Sequence, residues 1–174
     1  AMAEIREIAD AAASTATGYS VVIGDTFDGR IGSNGDHDWV RVSLEAGQTY
    51  VFTLYGRGGQ TAGVDDPFLA LRSSTGSVIT SNDDVSAADQ NYFSEITYTA
   101  TSTGVYYLDA SAVGSETGAY TLATATNIFT PDQVAAFLTD YFWGFSGPMA
   151  FDTGNDRSIS FNISGLTAAG QRLA

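Results

Sequence analysis

Hydrophobic and polar residues alternate with a period of two along most of the chain, the pattern of half-buried β-strands. The clearest instance is residues 35–54. Val40, Val42 and Leu44 alternate with Trp39, Arg41 and Ser43, and after a turn Tyr50, Phe52 and Leu54 alternate with Val51 and Thr53. Glu45-Ala46-Gly47-Gln48 forms the turn, where Gly47 can take positive φ at little cost. The same texture predicts strands over residues 20–23, 26–31, 38–44, 49–55, 68–73, 77–80, 95–99, 105–110 and 119–124. Thr75-Gly76 and Ser102-Thr103-Gly104 mark turns, and residues 56–63 form a glycine-rich loop. Short strands with no helix between them pair antiparallel. The expected fold is all-β, an antiparallel β-sandwich or jelly roll.

Both ends depart from this pattern. Residues 1–19 form an alanine-rich lead-in in which Glu4, Glu7 and Asp10 lie three apart. On a helix these acids make one stripe; in an irregular segment they can reach a metal. The sandwich is expected over residues 20–125. From residue 126 a short α+β extension is predicted. Thr130-Pro131-Asp132-Gln133 has the form of a capping box. Val134, Phe137, Leu138 and Tyr141 follow at helical spacing, so the helix over 130–143 presents an apolar face suited to self-association. A strand over 158–163 and a second helix beginning near Thr167 come next, so residues 126–174 read as the incomplete N-terminal part of a further domain.

Charge narrows the chemistry. The 174-residue chain carries 20 acidic and 7 basic residues, a net charge of −13, and every basic residue is arginine. Such a chain repels phosphate backbones and anionic lipid, so nucleic acid is not an expected partner. No stretch approaches the roughly 20 apolar residues of a membrane span. With no cysteine there are no disulfides or thiolate metal sites. The carboxylate excess favours a hard divalent cation, although acidic surfaces also simply keep proteins soluble.

Two groups of acids are candidate calcium ligands. Asp36 and Asp38, two apart where a strand begins, point their carboxylates the same way, and Glu4, Glu7 and Asp10 can complete six to eight oxygens at about 2.4 Å. The second, weaker group is Asp65 and Asp66 with Asn82, Asp83 and Asp84, all of them also ordinary turn formers. His37 is the one histidine and is expected to be a solvated loop residue. Without H-E-x-x-H the chain supplies no catalytic zinc site, and no nucleophile elbow or phosphate-binding loop is present, so no catalytic residue is expected. Tyr50, Phe52, Tyr98, Tyr107 and Tyr120 are expected in the core, which leaves Trp39 and Trp143 as the tryptophans of any sugar platform.

Six patches in order resemble the bacterial pre-peptidase C-terminal (PPC) domain, a secreted β-sandwich. They are Gly24-Asp25-Thr26-Phe27-Asp28-Gly29, Gly35-Asp36-His37-Asp38-Trp39, Ala46-Gly47-Gln48-Thr49-Tyr50, Asp66-Pro67-Phe68-Leu69-Ala70-Leu71, Asn82-Asp83-Asp84, and Gly104-Val105-Tyr106-Tyr107 with Gly118-Ala119-Tyr120-Thr121-Leu122. Residues 127–174 resemble the start of a serralysin-type zinc metallopeptidase domain. The carriers are Asp132 to Tyr141 with Trp143, Ala150-Phe151-Asp152, Ile159-Ser160-Phe161-Asn162-Ile163 and Ser164-Gly165-Leu166-Thr167-Ala168-Ala169-Gly170-Gln171. Together the resemblances imply a secreted, non-catalytic, calcium-stabilised accessory domain. Zinc would belong only to a catalytic portion outside this sequence, and the partner would be the rest of the peptidase domain or a protein or polysaccharide substrate. A carbohydrate-binding or adhesive module, or a stand-alone peptidase-binding protein, are the alternatives.

Overall fold

A computed structural model describes residues 2–57, 63–86 and 92–127, together with the strand backbone of residues 150–152 and 158–160. The chain divides into two units, Ala1–Asn127 and Ile128–Ala174.

Among the described residues of the first unit, ten strands form two five-stranded sheets. They are β1 (Glu4–Arg6), β2 (Ser20–Val21), β3 (Thr26–Ile31), β4 (Asp38–Leu44), β5 (Thr49–Gly56), β6 (Pro67–Arg72), β7 (Val78–Asn82), β8 (Ser94–Thr99), β9 (Gly104–Ala112) and β10 (Gly118–Thr126). One sheet runs β1-β3-β10-β5-β8, the other β2-β4-β9-β6-β7. Setting aside the short edge strands β1 and β2, this order is that of a jelly roll: successive strands alternate between sheets except for the β6–β7 hairpin, and the last two return between the first four. All nine strands read from alternation are present, with ends displaced by no more than a few residues. β1, which the alanine-rich sequence hides, lies parallel to β3 in the register Glu4↔Thr26, Ile5↔Phe27 and Arg6↔Asp28.

A single core joins the sheets. Phe27, Phe52, Leu54, Tyr120 and Leu122 from the first meet Val40, Val42, Leu69, Leu71 and Leu108 from the second. Alternation dictates this, since inward residues on β4 are the even ones, and Asp38 is in phase with Val40, Val42 and Leu44. Trp39 lies on the other face yet is also buried. Arg72 sits 4.5 Å above its ring and Tyr107 packs against it at 5.8 Å, so the outward face of β4 is covered there.

In the second unit Ala150–Asp152 (β11) pairs antiparallel with Ser158–Ser160 (β12), within the strand expected over 158–163. The helix expected over 130–143 and the one near Thr167 lie outside the described residues.

Candidate metal centre

Asp38 opens β4 on its inward side and is completely buried, with 0% of its surface exposed. Tyr120, inward on β10 of the opposite sheet, donates its phenolic hydrogen to Asp38 Oδ2 at 2.8 Å. Oδ1 is also buried and has no hydrogen-bond partner among the described residues. Room for this bond comes from Gly29, which pairs with Tyr120 across β3 and β10. A Cβ at position 29 would overlap the Tyr120 ring and hydroxyl, so glycine is required there for close approach.

The lead-in closes over this carboxyl. After β1 the Glu7 amide donates to the Asp28 carbonyl at 2.9 Å. The Glu7 side chain accepts the Ala11 N–H at Oε1 (2.8 Å) and the Arg30 N–H at Oε2 (2.7 Å), tying the lead-in to itself and to β3. Tyr19 holds the next turn, its hydroxyl accepting from the Ile8 and Ala9 amides and donating to the Ala9 carbonyl. The lead-in is thus irregular after β1, and Glu7, Asp10 and Asp38 come together with one carboxylate oxygen of each within 4.8 Å of the others.

The electrostatics follow from this crowding. Burial pushes the Asp38 carboxyl from 3.8 up to about 8; the Tyr120 hydrogen bond opposes the shift, and Glu7, Asp36 and Asp10 add to it. Burial also raises Glu7 against the pull of its two backbone N–H bonds, with Asp10 and Asp36 adding to the rise. Tyr120 is held well above its usual range, by burial first and then by the charge of Asp38. Of the three acids only Asp38 is buried; Glu7 is half-buried and Asp10 is exposed.

The two other acids predicted for this group lie elsewhere. Asp36 is close enough to raise its neighbours but turns its Oδ2 to the Gly32 N–H at 2.6 Å. Glu4, exposed on β1, pairs with Arg6 at 2.6 Å and approaches Arg57 at 3.8 Å.

In the second group Asp66, before β6, meets Asp83 and Asp84, after β7, because these strands are antiparallel neighbours. Asp66 Oδ1 and Asp84 Oδ1 are buried without partners, and burial raises Asp66, with Asp83, Asp84 and Glu116 contributing. Asn82 is used otherwise, accepting from the Glu95 amide and donating to the Asp84 carbonyl. Asp65 is exposed. Glu116, which sequence reasoning missed, accepts the Asp65 and Asp66 amides at 3.1 and 2.9 Å. No motif marks it; only the β9–β10 turn carries it there.

A third cluster was also not anticipated. Asp109, 2% exposed on β9, accepts from Arg72 Nε at 2.8 Å and lies 2.9 Å from His37 Nδ1. His37 is therefore a tethered, partly exposed residue rather than a free loop histidine.

The fit to a hard cation is good at Glu7, Asp10 and Asp38. The donors are all oxygens, and the buried Asp38 Oδ1 has no hydrogen-bond partner among the described residues.

Fold and cluster define an all-β jelly-roll module with an acidic interior site. Residues 36–112 match the family model of the bacterial pre-peptidase C-terminal domain, a shorter span than the 20–125 of the sequence resemblance. Among solved structures, the chain is similar to the pre-peptidase C-terminal domain of a Bacillus anthracis collagenase, with 16% identity, 61% of this chain and 92% of the other covered, and a TM-score of 0.47. It is also similar to PliG of Aeromonas hydrophila, a periplasmic inhibitor of g-type lysozyme, with 13% identity, 71% and 99% covered, and a TM-score of 0.43. CorA of Methylomicrobium album BG8, a surface-associated copper-binding protein, gives 12%, 62% and 97%, and 0.42. No curated protein matches the chain significantly.

Proposed function

We propose that residues 1–127 are a calcium-stabilised, non-catalytic accessory domain of an exported peptidase. The observation that carries this is Asp38, fully buried with an unpartnered oxygen, facing Glu7 and Asp10. Calcium would be held by Glu7, Asp10 and Asp38, with the Asp66, Asp83 and Asp84 group as a second, weaker position; bound there, it would offset the crowded carboxyls and brace a chain that has no cysteine. The PPC match supports the link to peptidases and an extracellular or periplasmic location. The resemblance of residues 127–174 to a serralysin-type catalytic start supports the particular peptidase class, whose zinc would need ligands that this sequence, with one histidine, does not supply.

The test is thermal unfolding of the full chain with millimolar calcium, magnesium or chelator, alongside Asp38→Asn. Calcium alone should raise the midpoint, by an amount corresponding to about 2.7 kcal/mol at one hundred times Kd, and Asp38→Asn should abolish the rise. Equal midpoints in calcium and chelator would refute the ion site. The peptidase association is tested separately, by zinc content and caseinolysis of the full-length product of the gene.

A further inference from the structure

Far from both acidic groups, a pocket of about 470 Å³ opens where the β6–β7 turn faces the β8–β9 connection. Ser73 and Ser74 stand on one side and residues 101–103 on the other, while Ile79 and Tyr98 form the apolar part. Tyr98 on β8 and Tyr106 on β9 belong to opposite sheets and meet edge to face, centroids 6.1 Å apart at 60°, so the floor spans the sandwich. Tyr106 is anchored: its hydroxyl donates to the Ser102 carbonyl at 2.9 Å and lies 3.0 Å from Ser102 Oγ.

What distinguishes this pocket is its charge. In a chain with 20 acidic residues, no charged side chain lines it, and its polar side chains are all hydroxyls. Hydroxyls both donate and accept, which matches a ligand whose own groups do the same. An anion would find no cation there and would approach a chain of net charge −13, while a cation would be drawn to the carboxylate groups instead. Apolar C–H faces would lie against Tyr98 and Ile79.

We propose that this pocket binds a short segment of a neutral oligosaccharide. The site is independent of the ion site and of the peptidase association. Ser74 is exposed, so Ser74→Trp fills the pocket mouth without touching the core; Tyr98→Ala removes the ring.

The experiment is amide chemical-shift titration of the full chain with cello-, laminari-, chito- and malto-oligosaccharides, with polygalacturonate as the anionic control and a proline-rich peptide as the peptide control. At least one neutral sugar should saturate with shifts confined to residues 73–79 and 98–106, and both variants should weaken it roughly tenfold or more while their unfolding midpoints show them folded. The proposal is overturned if none of the four sugars shifts these amides, if Ser74→Trp binds as well as the unaltered chain, or if only the peptide or the polyanion occupies the pocket.

Discussion

A carboxyl in phase with Val40, Val42 and Leu44 keeps its proton in the folded protein long after the unfolded chain has released it. The Asp38 carboxyl titrates near 8 when folded and near 3.8 when unfolded, with Glu7, Asp10, Asp36 and Tyr120 as the ionisable groups around it. A raised folded value contributes stability that is fully present below about 3.8 and lost as pH rises through about 8. Without calcium, stability should therefore fall across that window, by several kcal/mol in all. Asp38→Asn should flatten the fall apart from what Glu7 contributes. The variant should match or exceed the unaltered protein in chelator at pH 8 and be weaker than it in calcium, as urea unfolding at several pH values will read directly. Tyr120→Phe deletes the one donor to Asp38 and should cost about 1–3 kcal/mol in denaturant unfolding under chelator. Part of this was visible in the sequence, because Asp36 and Asp38 stand two apart where a strand begins. That Asp38 stays in the site while Asp36 turns to the Gly32 amide depends on where the strand starts, which spacing does not state. Tyr120 looked like core and is core, but nothing in alternation says that its hydroxyl crosses the sandwich.

Among the elements, β1 is a weak one: three residues, parallel, at a sheet edge. The Glu7 carboxylate and the Tyr19 hydroxyl hold the lead-in beyond it. Glu7→Gln should halve neither core nor topology, yet it should reduce the calcium-induced rise in midpoint and speed hydrogen exchange at the Glu7 and Arg30 amides while the β9 and β10 amides stay protected. Exchange that is unchanged at these two amides would contradict Glu7 as the tie. The nine other strands of this unit were legible from the alternation along them. β1 was not, because its Glu-Ile-Arg sequence has a single apolar residue and is embedded among alanines. Trp39 shows the converse limit: period two assigned it to the outward face correctly, but only the placement of Arg72 and Tyr107 buries it.

For the whole molecule, class was readable and neighbourhood was not. Alternation reports which way a side chain faces, whereas the order β3-β10-β5-β8 against β4-β9-β6-β7 is set by how the chain crosses between sheets. Hence Glu116 and the Asp109–His37 pair, both made by strands meeting from distant parts of the chain, escaped the sequence. Net charge acts at this scale. A chain of −13 repels itself, so sodium chloride should raise the midpoint modestly and equally in the unaltered protein and in Asp38→Asn, whereas calcium should act at far lower concentration and only on the former.

The Tyr120–Asp38 bond joins positions 82 residues apart, and Glu7 reaches the same place from the other end of the chain. Glu7, Asp10 and Asp38 all lie within the first 38 residues, but the hydroxyl that holds Asp38 arrives only with β10. The surroundings that bury Asp38 are therefore complete only once strands from distant parts of the chain have met, and an ion held there would act as a seal on what hydrophobic burial has already built.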